Sequence, residues 1–125
     1  MFAAHQKLGR LIVLVDWNKQ QLDGFTNDII DMGDFVEKFK AFGFHTQLVD
    51  GHDPGKIKAA IVDAKRYQDA PSAIILDTVK GYGCDFAEGV ASNHHMNFAK
   101  DQIEKAIEDA ENKLAEVREI ANKKG

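Results

Sequence analysis

The spacing of apolar and polar positions changes several times along this chain, and each change marks an element. Residues 10–16, RLIVLVD, form an unbroken run of leucine and β-branched side chains. That is the pattern of a strand buried on both faces. The mildly apolar residues 2–8 end at Gly9 and read as the last turns of a helix. Residues 17–32 show no period and are rich in Asn, Gln, Asp and Gly, which predicts a long loop. Loops of that length are uncommon unless functional. Phe35, Val36, Phe39 and Phe42 then recur at helical spacing over 33–42, with Gly43 as a helix stop. Residues 44–49, FHTQLV, predict a second strand, and DGHDP a turn. Asp53 can cap the next helix with Pro54 at its first position, and Ile57, Ala60, Ile61, Ala64 and Tyr67 make that helix amphipathic. Pro71 ends the connection, and residues 73–78, AIILDT, predict a third buried strand. Residues 79–98 read as a second long loop, holding KGYG and SNHH. A long helix follows over about 99–122, with Ile103, Ile107, Ala110, Leu114, Val117 and Ala121 at alternating spacings of four and three, a heptad seam. A solvated helix with one face on the body of the protein is the commoner meaning of such a seam than a coiled-coil partner site.

The predicted order is strand, helix, strand, helix, strand, helix. Crossover helices require parallel strands, so the fold class is α/β with a three-layer, mostly parallel open sheet. All three strands then end on one side. The segments that follow those ends are DWNKQQLDG, DGHD and KGYG. Open parallel sheets bind ligands outside the carboxyl ends of their strands, so the least regular loops lie where a site is expected.

Composition narrows the classes. The chain has 125 residues, 44% hydrophobic and 29% charged, which suits one ordinary globular domain. A formal charge of -4 argues against a nucleic-acid partner, which needs a basic surface. Cys84 is the one cysteine, so no internal disulfide forms and a reducing compartment, most simply the cytoplasm, is expected. No apolar run approaches the roughly 20 residues of a membrane span, and the N-terminus lacks the pattern of a signal peptide.

Candidate chemistry sits in the loops. Asp16, Asn18 and nearby carbonyls are hard oxygen ligands, suited to Mg²⁺ or Ca²⁺ rather than zinc. Taken alone, D-x-N after a strand is more often an Asx-turn than a metal site. TVKGYG carries Lys80 and two glycines but is neither a dinucleotide fingerprint nor a phosphate-binding Walker loop. His94 and His95 are adjacent and tend to point apart. A shared metal is not expected, and either could act as general acid/base or hydrogen-bond donor. His52 belongs to the turn and helix N-terminus, and Cys84 has no neighbouring base.

As a group, LIVLVDWNKQQLDG, FKAFGFHTQLVDGHDPGKIKAAI, AIILDTVKGYG and FAEGVASNHH resemble the thiamine-diphosphate-binding domain of transketolase, above all the N-terminal half-subunit of split bacterial transketolases. The resemblance covers about residues 1–98. Deoxyxylulose phosphate synthase and dihydroxyacetone synthase are relatives of the same kind. The resemblance implies a partial thiamine-diphosphate-binding fold spanning 1–125 as one domain. It implies that Asn18 and the carbonyl of Gln20 help bind Mg²⁺ (Ca²⁺ is an alternative), which bridges the cofactor's diphosphate. It places Leu22 against thiamine diphosphate, and His94 beside the diphosphate and the reacting groups as the catalytic residue. His95 stands where the family usually has Gly.

The departures are equally informative. The family's Gly-Asp-Gly, which carries the main carboxylate ligand about 30 residues before the Asn, is not among the 17 residues before Asn18. The pyrimidine-binding domain is also missing. The expectation is therefore a component of an enzyme that moves a two-carbon ketol unit between sugar phosphates, binding cofactor weakly or not at all by itself and inactive alone. It would act as a homo- or hetero-oligomer with a partner chain that carries the pyrimidine-binding domain. The alternatives are a non-catalytic α/β fragment or interaction subunit, and a deoxyxylulose phosphate synthase-like enzyme.

Overall fold

The computed structural model describes residues 1–123. It divides into two compact units, Met1–Val79 and the chain from Lys80 onward.

The first unit begins with a short helix, α1 (Phe2–His5), that ends where Lys7 turns to a φ of 51°. Strand β1 (Ile12–Trp17) follows. The expected long loop is more ordered than its composition suggests. It holds a small hairpin of β2 (Gln20–Gln21) and β3 (Gly24–Phe25), then one helical turn, α2 (Thr26–Ile29). Helix α3 (Phe35–Ala41) starts at Asp34, whose carboxylate accepts from the Glu37 amide at 3.1 Å. It stops as its sequence predicts. Gly43 takes a φ of 85°, its amide reaches the Lys40 carbonyl at 2.8 Å, and the Phe44 amide reaches the Phe39 carbonyl at 3.0 Å. The Phe39 and Phe44 rings meet edge-on at 5.3 Å across this turn, the apolar contact that accompanies a Schellman stop. Strand β4 (His45–Asp50) leads to α4 (Pro54–Ala64), where Asp53 Oδ1 accepts from the Gly55 and Lys56 amides at 2.8 and 3.1 Å. This helix ends before Tyr67, which instead stacks on His45 with centroids 3.5 Å apart. Strand β5 (Ser72–Asp77) closes the sheet.

The sheet order is β1-β5-β4, all parallel, with Ile12, Ser72 and His45 at one level and Trp17, Asp77 and Asp50 at the other end. Because β5 is central, Ala73, Ile74 and Ile75 are fully buried. Strand β1 is not buried on both faces as its composition predicts: Leu14 is 50% exposed, and Leu48 on the other edge strand, β4, is 52% exposed. Among the described residues only β5 has a strand on each side, and that accounts for the difference. Ala60 and Ala64 of α4 pack on Ile74, with Ile12, Val49 and Leu76 beside them. The alternation of the strands puts Ile75 and Trp17 on the other face, where Trp17 meets Phe35 at the start of α3 with centroids 6.0 Å apart. Helices thus cover both faces of the sheet.

In the second unit, turns from Lys80 to Phe98 precede α5 (Lys100–Lys123). Ala87 is its buried apolar residue, and the Phe86 and Phe98 rings lie 5.1 Å apart. Among the described residues no helix is long and apolar enough to cross a membrane.

Candidate functional site

The site is built where β1, β4 and β5 end together. Directly after β1, Asn18 folds back on itself. Its Oδ1 accepts from the Gln20 amide at 2.9 Å, and its Nδ2 donates to Asp16 Oδ2 at 3.1 Å. This is the Asx-turn that the local sequence favours. It also aims the chain into the β2–β3 hairpin. The Thr26 amide bonds the Lys19 carbonyl at 2.9 Å, so residues 19 and 26 form a hydrogen-bonded pair. Antiparallel pairs alternate, so Gln20 opposite Phe25 is a non-hydrogen-bonded pair, and its backbone carbonyl points away from β3. Leu22 sits at the hairpin tip and is 57% exposed. Asn18, Gln20 and Leu22 are therefore brought onto one small structure, with the Asn18 side-chain oxygen and the Gln20 carbonyl on either side of Lys19.

Lys19, Asp77 and Thr78, which the sequence did not single out, tie this rim together with Asp16 and His52. Lys19 has a φ of 63°, unusual for a residue with a side chain. Its ammonium contacts the Asp77 carboxylate, donates to the Thr78 carbonyl at 3.1 Å, and lies 4.7 Å from the Trp17 ring centre. Desolvation pushes the Lys19 pKa below the usual lysine range, opposed by the nearby Asp16 charge. The Thr78 hydroxyl donates to Asp16, and the Thr78 amide to the Trp17 carbonyl at 3.3 Å. From the β4 end, the Gly51 amide donates to the Asp77 carbonyl at 2.8 Å, and His52 Nε2 accepts from the Val79 amide at 2.8 Å. His52 thus links two strand ends, a role beyond the turn and helix start expected of it. Asp50 is held below the ordinary carboxylate range, first by the His52 amide and then by the Lys56 ammonium at 3.2 Å. The signal for these residues was their place at strand ends. Their pairings join positions as far apart as 16 and 78, which no local pattern reveals.

The donor chemistry of this rim fits a hard cation in part. Asn18 Oδ1 keeps a free lone pair, and the Gln20 carbonyl faces outward; both are neutral oxygens of the type Mg²⁺ or Ca²⁺ accepts. Asp16 is already engaged through both oxygens. Among the described residues, no three His, Cys, Asp or Glu side chains converge on a metal position. A cation here needs most of its shell, and its charge balance, from a ligand such as a diphosphate. The hairpin also keeps unmet hydrogen-bonding capacity, because Gln20 Oε1 and Gln21 Nε2 are buried without a partner. Orphaned amide groups of this kind cost free energy.

The fourth predicted residue, His94, lies in the second unit. Its Nδ1 is 3.2 Å from the Lys80 ammonium. An ammonium has no acceptor capacity, so Nδ1 accepts and the ring proton sits on Nε2, which is left to donate. His95 meets His94 edge-on at 4.7 Å and has no comparable tie to the KGYG turn. That turn is held by Asn93, whose Nδ2 donates to the Ala87 and Lys80 carbonyls at 2.7 and 3.2 Å. Gly81 is required there. Its φ is 79°, and a Cβ would come within 2.5 Å of the Ala87 carbonyl oxygen. Cys84 lines a cleft of about 250 Å³ between this loop and α5, beside Asp85, Asp101 and Asp109.

Residues 1–118 match the family described as transketolase, thiamine diphosphate binding domain. The chain is 40% identical over 111 residues to the 6-deoxy-6-sulfo-D-fructose transketolase subunit of Clostridium sp. (strain MSTE9), covering 89% of this chain and 40% of that protein. It is 36% identical over 109 residues to an apulose-4-phosphate transketolase subunit of Actinobacillus succinogenes, covering 86% of this chain and 38% of the relative. Among solved structures, the transketolase of Pichia stipitis in complex with sedoheptulose-7-phosphate superposes with a TM-score of 0.75 at 33% identity, covering 84% of this chain and 16% of that one. The transketolase of Campylobacter jejuni gives 0.77 at 28% identity, covering 87% and 17%. The chain thus spans well under half the length of these proteins. The family and the relatives' names favour transketolase over the deoxyxylulose phosphate synthase alternative.

Proposed function

The chain belongs to the transketolase family through its thiamine-diphosphate-binding domain, and from that membership we propose that it supplies part of the diphosphate and metal end of a two-chain transketolase. The complete enzyme would transfer a two-carbon ketol unit between sugar phosphates. When bound, thiamine diphosphate supplies the carbon nucleophile and electron sink that this chemistry needs. The residues of this chain do the holding. Asn18 Oδ1 and the Gln20 carbonyl would each donate one oxygen to Mg²⁺. Leu22, exposed at the hairpin tip, would lose that exposure against the apolar part of the cofactor. His94, fixed by Lys80 as an Nε2–H donor, would hydrogen-bond an oxygen of the diphosphate or of the sugar. The whole of 1–125 would act as one partial domain within that assembly, with residues 124 and 125 outside those described.

The observation that carries this reading is the hairpin itself. Asn18 and Gln20 present hard oxygens at the carboxyl end of a parallel sheet, inside a chain matched to this family over residues 1–118. The surrounding rim also carries Asp16, Asp23, Asp50 and Asp77, offset only in part by Lys19 and Lys56, so a divalent cation would lessen the repulsion of a diphosphate bound there. The names of the relatives as subunits support a partner chain with the pyrimidine-binding domain.

Titration calorimetry with thiamine diphosphate and Mg²⁺ tests this. The chain alone is expected to bind weakly or not at all, because two neutral oxygens hold a divalent cation poorly. The complex with a pyrimidine-binding subunit is expected to bind and to show ketol transfer. A micromolar dissociation constant for the chain alone would sink the view that its site is incomplete. A second reading, a non-catalytic interaction subunit, is favoured by one observation: Ile107, Val117 and Ile120 along α5 are all more than half exposed. A complex that forms but neither binds cofactor nor turns over substrate would select it.

A further inference from the structure

We propose that Lys19 is a positioning residue: it ties the Asn18–Thr26 hairpin to the carboxyl end of β5, holding the Asn18 and Gln20 oxygens where a ligand can use them. The ligand half of this statement rests on the reading of the hairpin as a cofactor loop. The tether half stands on geometry alone.

Lys19 fastens the hairpin twice. Through its backbone, the carbonyl accepts from both the amide and the hydroxyl of Thr26, at 2.9 and 3.2 Å, and so closes the base of the hairpin. Through its side chain, the ammonium reaches the Asp77 carboxylate and the Thr78 carbonyl, with the Trp17 ring beneath it. Those partners are themselves fixed. Asp77 is in register with Trp17 and Asp50, its carbonyl receives the Gly51 amide, and Thr78 is bonded to Trp17 and Asp16. A hairpin with strands of two residues cannot hold itself in water. Its anchorage must come from outside: the Asn18 side chain reaches back only to Asp16 in the adjoining strand β1, whereas the Lys19 side chain crosses to the end of β5. The left-handed backbone at Lys19 sharpens the point. Glycine would adopt that conformation without cost, so if the turn alone mattered, lysine would be the worse choice.

Amide hydrogen exchange on the full chain reads the tether directly. Lys19→Met keeps the aliphatic stem and removes the charge; exchange of the Gln20 and Thr26 amides is expected to speed up about tenfold, while Ile74 and Ile75 in β5 keep their protection. Lys19→Gly, which relieves the backbone, is expected to loosen the hairpin as well, and Lys19→Arg to restore most of the protection. Unchanged exchange in Lys19→Met, or slower exchange in Lys19→Gly, overturns the tether. The ligand half is read by titrating thiamine diphosphate with Mg²⁺ into the complex with a pyrimidine-binding subunit. Lys19→Met is expected to raise the dissociation constant about tenfold, a loss of roughly 1.4 kcal/mol, with recovery in Lys19→Arg. Faster exchange with unaltered affinity overturns the positioning role. If the unsubstituted complex binds no thiamine diphosphate, the reading of the loop as a cofactor site falls, and the exchange data still decide whether Lys19 is the tether.

Discussion

Asp50 shows how single residues at this rim are set by their surroundings. Its carboxylate accepts the His52 amide at 3.0 Å and the Lys56 ammonium at 3.2 Å, and both favour the charged form. Lys56 is raised above its ordinary value by the same pair. The signs follow. Asp50 has a folded value below its unfolded one, so its contribution is present above the unfolded value, roughly pH 4. It is lost as pH falls through the lowered folded value. Lys56 contributes below its unfolded value and loses that contribution as pH rises through the raised folded one. Lys56→Met is expected to move the Asp50 titration only part of the way back, because the larger cause, the His52 amide, remains. Carboxyl ¹³C NMR across acid pH checks this; a full return to the ordinary carboxylate value would mean that Lys56 does most of the work. At this scale the sequence was partly legible. Asn18 and Asp53 are recognisable from their place before a turn or helix. Lys19 with Asp77, Asp16 with Thr78, and His94 with Lys80 are not, because a pairing across 14 or more residues leaves no local period.

Elements were legible where backbone chemistry forces a local outcome. Asp53–Pro54 starts α4, and Gly43 ends α3, because a cap needs an acceptor and a left-handed stop needs a residue without a Cβ. What the apolar runs did not disclose is which strand lies in the middle. RLIVLVD and AIILDT look alike, yet β5 is buried and β1 is half open. The difference is worth measuring. Ile74→Ala is expected to cost about 2–5 kcal/mol, as for a fully buried aliphatic side chain. Leu48→Ala, at an edge and half exposed, is expected to cost about 1 kcal/mol or less. Urea unfolding of both variants gives the comparison, and equal losses would contradict the strand order β1-β5-β4. The hairpin within 17–32 was missed for a related reason. Its strands are too short to show alternation, and they are held by bonds made at Lys19 rather than by their own apolar content.

For the molecule as a whole, the unpaired sheet edges set the expected behaviour. Among the described residues β1 and β4 each pair with β5 only, so each keeps an unpaired side. Unpaired edges are templates for association. Sedimentation velocity over a wide concentration range is expected to show self-association of the chain alone, relieved when a pyrimidine-binding subunit is added. A sharp monomer at high concentration would mean that the edges are shielded by their own twist and charge. What the sequence determined by itself was the types of the longer helices and strands, the parallel connection of the strands, and the family resemblance carried by DWNKQQLDG, DGHD and KGYG. These depend on period, capping and turn chemistry, which act over a few residues. Tertiary structure alone decided that β5 is central, that the Gln20 carbonyl faces outward, and that Lys19 meets Asp77. Each of those depends on which distant segments pack side by side, and strand pairing places residues 19 and 77 together with no mark at either position.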